Sequence, residues 1–293
     1  MKAPAFDYTR ARSLDEVFHL LSEHGDDARL LAGGQTLLAT LNMRLSEPAL
    51  LIDINGIDAL KGISVKGTGS GRVLRIGALV THSEIEASAL VARHAPLLTM
   101  AAPHIAHRTI RNRGTWGGSI AYADPAAEWP TCLVALEGTV VVCGVGGERR
   151  IAAHDFFVDL YTTALAEGEI VTACELPFCE SGDVFVFDEL ARRHGDYATA
   201  GVALVARRAA AGLQRLRLVF LGIGTTPIRA RRTEAVLDGQ ALTPSLIDRA
   251  LSTLESELDP LADLTHAAAT KRHLSCVIAR RALGTALSAT VAA

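Results

Sequence analysis

Two glycine-centred stretches hold the residue types best suited to chemistry in this 293-residue chain. The first is Gly33-Gly34-Gln35-Thr36, set between the apolar run Arg29-Leu30-Leu31-Ala32 and a short helical pattern from Leu37 to Arg44. A diphosphate can be held by backbone N–H groups where no Cβ blocks close approach and a helix N-terminus points at the anion. Gly33 and Gly34 would let the chain close on such a ligand, Gln35 and Thr36 would add side-chain donors, and the helix from Leu37 would add its dipole. The spacing matches neither the dinucleotide fingerprint G-x-G-x-x-G nor the Walker A loop, and a plain tight turn would use the same two glycines. The second stretch, Thr109-Ile110-Arg111-Asn112-Arg113-Gly114-Thr115-Trp116-Gly117-Gly118-Ser119-Ile120, runs at once into Ala121-Tyr122-Ala123-Asp124-Pro125-Ala126-Ala127-Glu128. Two such loops in one domain form a stronger signal than either alone.

Other reactive side chains are less well arranged. His104 and His107 would share a helical face, but no carboxylate follows at zinc-ligand spacing, so no metal site is expected. Cys132, Cys143, Cys174, Cys179 and Cys276 are odd in number and contain no C-x-x-C pair. Cys174-x4-Cys179 opens like a plant-type iron–sulfur run, yet the next required position is Gly182. No nucleophile elbow, Ser–His–Asp set or carboxylate pair stands out, and no catalytic acid or base is expected. Arg108, Arg111 and Arg113, with Arg192, Arg193 and His194, form two basic runs suited to a solvated face, a subunit contact or phosphate pairing.

The loops need a scaffold. Leu14, Val17, Phe18, Leu20 and Leu21 mark a helix capped by Ser13 and closed by Gly25. Arg29 to Ala32 and Leu50 to Ile54 read as strands flanking the first glycine turn, which makes a small α/β unit. Ile63 to Lys66 and Val73 to Ile76 read as one hairpin, and Val140 to Cys143 with Glu148 to Ile151 as a second. Helical patterning covers Thr81 to Val91 and Leu97 to Ala106, and Asp124-Pro125 is expected to start a further helix, with Asp124 as its N-cap and Gly138 at its end. Beyond about Pro177 come three strand-like runs, Val184 to Leu190, Ala200 to Arg208 and Leu216 to Gly222. Helical patterns follow at Ile228 to Leu237, Pro244 to Leu258 and Ala267 to Leu287. Strands first and helices after predict a separate α+β domain with a three-stranded antiparallel sheet. The expected division is 1–177, with parts at about 1–55 and 56–177, then 178–293.

Composition sets the outer bounds. Hydrophobic residues make up 49% and charged residues 21%, a globular balance. A net charge of −3 gives no electrostatic footprint for nucleic acid or an anionic membrane. The N-terminus lacks an apolar signal core and no stretch is long enough to span a bilayer, so a cytoplasmic protein is expected.

Leu31-Ala32-Gly33-Gly34-Gln35-Thr36-Leu37-Leu38 and Thr115 to Ser119 resemble the two flavin loops of the FAD-binding medium subunit of the molybdenum hydroxylase (xanthine dehydrogenase / carbon monoxide dehydrogenase) family. The resemblance extends through Phe156-Phe157, Tyr161 to Leu165, Glu169-Ile170, Leu190 to Tyr197, Thr226 to Ala230 and Lys271 to Leu274, and so covers nearly the whole chain. It implies an α+β fold: a two-part FAD-binding domain of the PCMH/vanillyl-alcohol-oxidase-like type, followed by a C-terminal domain. It implies FAD, with Ala32, Gly33, Gly34, Gln35, Thr36 and Leu37 and then Thr115, Trp116, Gly117, Gly118 and Ser119 around the diphosphate and ribityl chain. Asp124 lies in the same stretch, Glu128 matches an acidic position that hydrogen-bonds the adenosine ribose, Ile105 and Ile170 match apolar positions lining the flavin, and Tyr197 matches an aromatic near the isoalloxazine. Trp116 stands where a small aliphatic residue is usual, Ser119 where asparagine is common, and Glu189 where some relatives have lysine.

The same resemblance implies partners: a large subunit with molybdopterin that hydroxylates substrate, and a small subunit with two [2Fe–2S] clusters, assembled as a dimer of heterotrimers. Electrons would pass through this chain to an external acceptor, with the flavin supplying the redox chemistry. The cysteine-rich insert of the acyl-CoA type is missing, and an N-heteroaromatic substrate is the leading expectation. Two other readings stay open: a stand-alone FAD-dependent oxidoreductase, and an assembly subunit without flavin, against which Gly33-Gly34 and Gly117-Gly118 argue.

Overall fold

The computed structural model describes residues 2–210 and 212–291. Near the N-terminus, Leu50–Asp53 is the centre of a three-stranded parallel sheet between Asp7–Arg10 and Ala28–Leu31. The central strand is buried along its whole length. The helix Leu14–His24 crosses between the outer two strands, with Ser13 Oγ accepting from Glu16 N and Gly25 at φ 49° ending it. Val17, Phe18, Leu50, Ile52 and Ile170 close one small core here.

Five antiparallel strands form the second sheet, in the order Ile63–Lys66, Val73–Gly77, Ile170–Pro177, Thr139–Gly144 and Gly147–Ala152. Its middle strand, Ile170–Pro177, is buried at six of eight positions. Burial on both faces removes the alternation that marks a strand in sequence. Short helices cover this sheet, and Leu74, Ile76, Trp116, Trp129, Val140 and Val142 are among the core residues.

The stretch expected to be helical from Leu97 to Ala106 is interrupted. Pro96–Ala101 is α-helical, Ala102–His104 is a single 3₁₀ turn, and Ala106 turns left-handed at φ 44°. His107 then caps the next helix, Arg108–Arg111, so His104 and His107 do not share one helical face. Thr81 to Val91 likewise divides into His82–Ala87 and Ala89–His94 at Ser88.

The C-terminal sheet has four antiparallel strands, not three: Asp183–Leu190, Ala200–Ala209, Gly212–Leu221 and the two-residue Ile228–Arg229. The helical pattern in the sequence starts at Ile228, whereas Ile228–Arg229 is a strand and the helix begins only at Arg231. Period-two alternation along Ala200–Ala209 sends Ala203 and Val205 into the core of the preceding domain. Val202, Leu204 and Ala206 face the opposite way, toward the helices Arg231–Leu237, Pro244–Glu257 and Ala268–Val291. A sheet with two apolar faces thus joins the two halves of the chain. Among the described residues no helix is long and apolar enough to cross a membrane.

Candidate functional site

The first glycine loop leaves the strand Ala28–Leu31, turns through Gly34 at φ 71°, and enters the helix Leu37–Asn42. Its donors are open: among the described residues no acceptor meets the backbone N–H of Gly33, Gly34, Gln35, Thr36 or Leu37. The carbonyls behind them are held. Asn55 Nδ2 donates to Ala32 O at 2.9 Å, and Gln35 Nε2 donates to Gly33 O at 3.1 Å. Asn55 is itself fixed by Asp53 Oδ1, at 2.7 Å from Nδ2 and 2.8 Å from the backbone N–H, and Tyr8 donates its hydroxyl to Asp53 Oδ2. Five consecutive N–H groups without an internal acceptor form a concavity suited to an anion. Nothing in the sequence singled out Tyr8, Asp53 or Asn55, because their role depends on neighbouring strands coming together.

The second loop is built differently. Trp116 N donates to Val80 O and Gly117 N to Ala78 O, both at 2.8 Å, while Thr115 Oγ1 accepts from Gly118 N at 3.3 Å to cap the helix Trp116–Tyr122. Gly117 serves close packing, since a Cβ there would lie 2.4 Å from the Ala78 Cβ. Trp116 is fully buried and tilted against Trp129, with ring centroids 5.3 Å apart. Its ring therefore belongs to the core, and its backbone N–H is already taken by Val80. Ser119 is half-buried on the next turn, where its N–H donates to Thr115 O.

The two loops touch. A Cβ on Gly33 would fall 2.2 Å from Arg113 O and 2.8 Å from Gly114 Cα, and one on Gly118 would lie 3.9 Å from the Ala32 Cβ. Gly114 in turn rests on His82, whose Nε2 would be 2.6 Å from an added Cβ. His82 Nδ1 accepts from Trp129 Nε1 at 2.9 Å, and burial, with Arg111 nearby, lowers the imidazole pKa to about 4. Arg111, unlike a solvated arginine, is buried. It donates to Glu86 Oε2 at 3.0 Å and to the carbonyls of Ile105 and Ala106 at 3.1 Å, which fixes the left-handed turn beside the loop.

The remaining expected residues divide into two groups. Ile105 and Ile170 are core residues, 8% and 2% exposed, with Ala32 packed against the cluster that contains Ile170. Asp124 does not cap a helix. Its Oδ1 accepts from Ala126 N at 2.9 Å in a local turn, and the helix starts at Glu128 with Ala127 as the cap residue. An aspartate before Pro-Ala-Ala-Glu suits either arrangement, and the turn is the one adopted. Glu128 is buried with no basic partner among the described residues, and burial, reinforced by the Glu189 carboxylate, raises its pKa to about 8. Tyr197 is 67% exposed, with Asp124, Tyr122, Tyr161 and Glu128 close enough to act electrostatically on its phenol. In sequence Glu189 is marked only by standing where some relatives have lysine. In the fold it is a buried carboxylate with Oε1 3.5 Å from His104 Nδ1.

The site therefore offers an open row of backbone donors for a diphosphate, a second glycine turn against it, and a buried carboxyl able to accept from a sugar hydroxyl. These residues fit FAD.

Comparison with known proteins agrees. Residues 4–179 match the family described as FAD binding domain in molybdopterin dehydrogenase, and residues 185–286 match the CO dehydrogenase flavoprotein C-terminal domain. The chain is 38% identical to the 6-hydroxypseudooxynicotine dehydrogenase complex subunit alpha of Paenarthrobacter nicotinovorans, over 98% of this chain and 96% of that one. Its structure is similar to a chain of carbon monoxide dehydrogenase from Hydrogenophaga pseudoflava, with a TM-score of 0.93, 35% identity, and 98% and 99% of the two chains covered. A chain of quinoline 2-oxidoreductase from Pseudomonas putida 86 gives a TM-score of 0.92 at 33% identity, covering 99% of each chain. The chain belongs to the oxidoreductase family of FAD-binding medium subunits of molybdenum hydroxylases.

Proposed function

We propose that this chain is the electron-transfer subunit of a heteromeric molybdenum hydroxylase. It receives electrons from the [2Fe–2S] clusters of a small subunit, after substrate is hydroxylated at a molybdopterin centre in a large subunit, and passes them to an external acceptor. The observation that carries this reading is the run of five open N–H groups from Gly33 to Leu37, pinned against the second glycine loop at Arg113 and Gly114. Bound FAD would supply the redox chemistry.

The protein's part is to bind and orient. Residues 1–177 carry most of the site, and 178–293, the second domain, contribute Tyr197. The N–H groups of Gly33 to Leu37 hold the diphosphate, with Thr115, Gly118 and Ser119 closing the other side. Glu128 accepts from a sugar hydroxyl, Ile105 and Ile170 back the ring, and Tyr197 covers it from the exposed side. No side chain of this chain acts as a catalytic acid or base.

The names of two relatives support a substrate class. Two of those compared are named for quinoline and for a hydroxylated nicotine derivative, which favours an N-heteroaromatic substrate at the large subunit. The assembly in this reading is a cytoplasmic dimer of heterotrimers.

Isolation of the tagged chain from its native host, with metal and flavin analysis, tests the proposal. Two co-purifying subunits with molybdenum, iron and FAD are expected. A chain that purifies alone, free of both metals, and whose flavin is bleached directly by an organic substrate would make it a stand-alone oxidoreductase instead.

A further inference from the structure

The first glycine loop has its carbonyls pinned from behind, each by a different donor. Ala32 O accepts from Asn55 Nδ2 at 2.9 Å, Gly33 O from Gln35 Nε2 at 3.1 Å and Gly34 O from Leu38 N at 3.0 Å. In a planar trans peptide the C=O and the following N–H point in opposite directions, so each held carbonyl turns one N–H the other way. The N–H groups aimed in this manner are those of Gly33, Gly34 and Gln35, which have no acceptor of their own among the described residues. Gln35, expected to donate to a ligand through its side chain, turns its amide back onto the loop instead. Asn55 alone of these donors lies outside the loop and the helix it enters.

Asn55 can do this in one orientation only. Its Nδ2 meets Asp53 Oδ1 at 2.7 Å, Ala32 O at 2.9 Å and Leu31 O at 3.4 Å, and a flipped amide would set its oxygen against three acceptors. Asp53 enforces the choice, because its Oδ1 also accepts the Asn55 backbone N–H at 2.8 Å while its Oδ2 accepts the Tyr8 hydroxyl. The parallel sheet brings the groups together. Asp53 ends the central strand in register with Leu31 on one side, and Tyr8 lies on the strand at the other side.

Resting on the reading of the site as an FAD site, we propose that Asn55, locked by Asp53, is a positioning residue for the FAD diphosphate, because it turns the Gly33 N–H toward the phosphate oxygens. Gln35 does the same for the Gly34 N–H from within the loop, so its side chain acts through the backbone rather than on the ligand.

The test uses the full chain stripped of flavin and reloaded with FAD, read by fluorescence titration, visible absorption and phosphorus NMR of the bound diphosphate. Asn55→Ala should weaken FAD binding at least about tenfold, the range expected when a carbonyl loses its donor and its peptide is free to turn. The phosphorus resonances of bound FAD should move while the flavin absorption bands stay in place, a pattern that a general loosening of the fold would not give. Asn55→Asp keeps the size of the side chain but removes both donors and should act in the same direction. Gln35→Ala, one peptide further along, should move the same resonances and keeps the test open if the Asn55 variants fail to fold. Affinity within about twofold of the unaltered protein, or weaker binding with unmoved phosphorus resonances, would overturn the positioning role and leave the FAD assignment standing. An unaltered protein that takes up no FAD would overturn both.

Discussion

Gly33 and Arg113 approach so closely that a methyl group on Gly33 would sit 2.2 Å from the Arg113 carbonyl oxygen. The first glycine is thus an interlock between two loops as well as a place for ligand. Gly33→Ala should push the loops apart and weaken FAD binding about ten- to a hundredfold, the equivalent of 1–3 kcal/mol of overpacking. Gly146→Ala is the control, because its Cβ would enter open space. Titration of both variants with FAD, alongside circular dichroism, separates a binding defect from a folding defect.

Arg111 ties Glu86 to the carbonyls of Ile105 and Ala106. Arg111→Ala leaves these groups unsatisfied and should cost about 3 kcal/mol in a urea melt. Lysine cannot span three acceptors in one plane, so Arg111→Lys should recover only part of that loss.

Glu128 should make apo-protein stability depend on pH. Its folded pKa of about 8 lies above the ordinary 4.5, through burial first and the Glu189 carboxylate second. The folded state therefore binds more protons between those values, and stability falls as pH rises from 4.5 toward 8. The loss is on the order of a few kcal/mol. Glu128→Gln should flatten this slope in melts at pH 5, 7 and 9. An unchanged slope would mean that the carboxyl is solvated.

His82 acts in the opposite direction. Its pKa is lowered to about 4 by burial and by Arg111, so below the ordinary 6.5 the unfolded chain binds the extra proton. Stability should fall as pH drops from 6.5 toward 4. Protonation also ends acceptance from Trp129 Nε1 beneath Gly114, so FAD release should accompany the drop. Trp129→Phe removes the donor and should shift the release curve. Flavin fluorescence against pH reads it.

Local signals carried far in the sequence. Ser13 and Gly25 end their helix as expected, and the strand, glycine turn and helix from Ala28 to Asn42 follow the sequence pattern. What was lost depended on neighbours. Asp7–Arg10 is a polar, mostly exposed strand without alternation, and Ile228–Arg229 is too short to show any. The helical pattern through Ala106 was broken by a turn that Arg111 holds from the next helix. In the site, glycines marked both loops because backbone approach demands them. Asn55 behind the first loop and the buried Glu189 carboxylate arise only from tertiary contacts.

The most direct measurement is the visible absorption spectrum of the purified chain, with identification of any flavin released on denaturation. A flavin spectrum and one FAD per chain, taken up again by the stripped protein, is the expected result. A colourless protein that takes up no added FAD would contradict the assignment of both glycine loops.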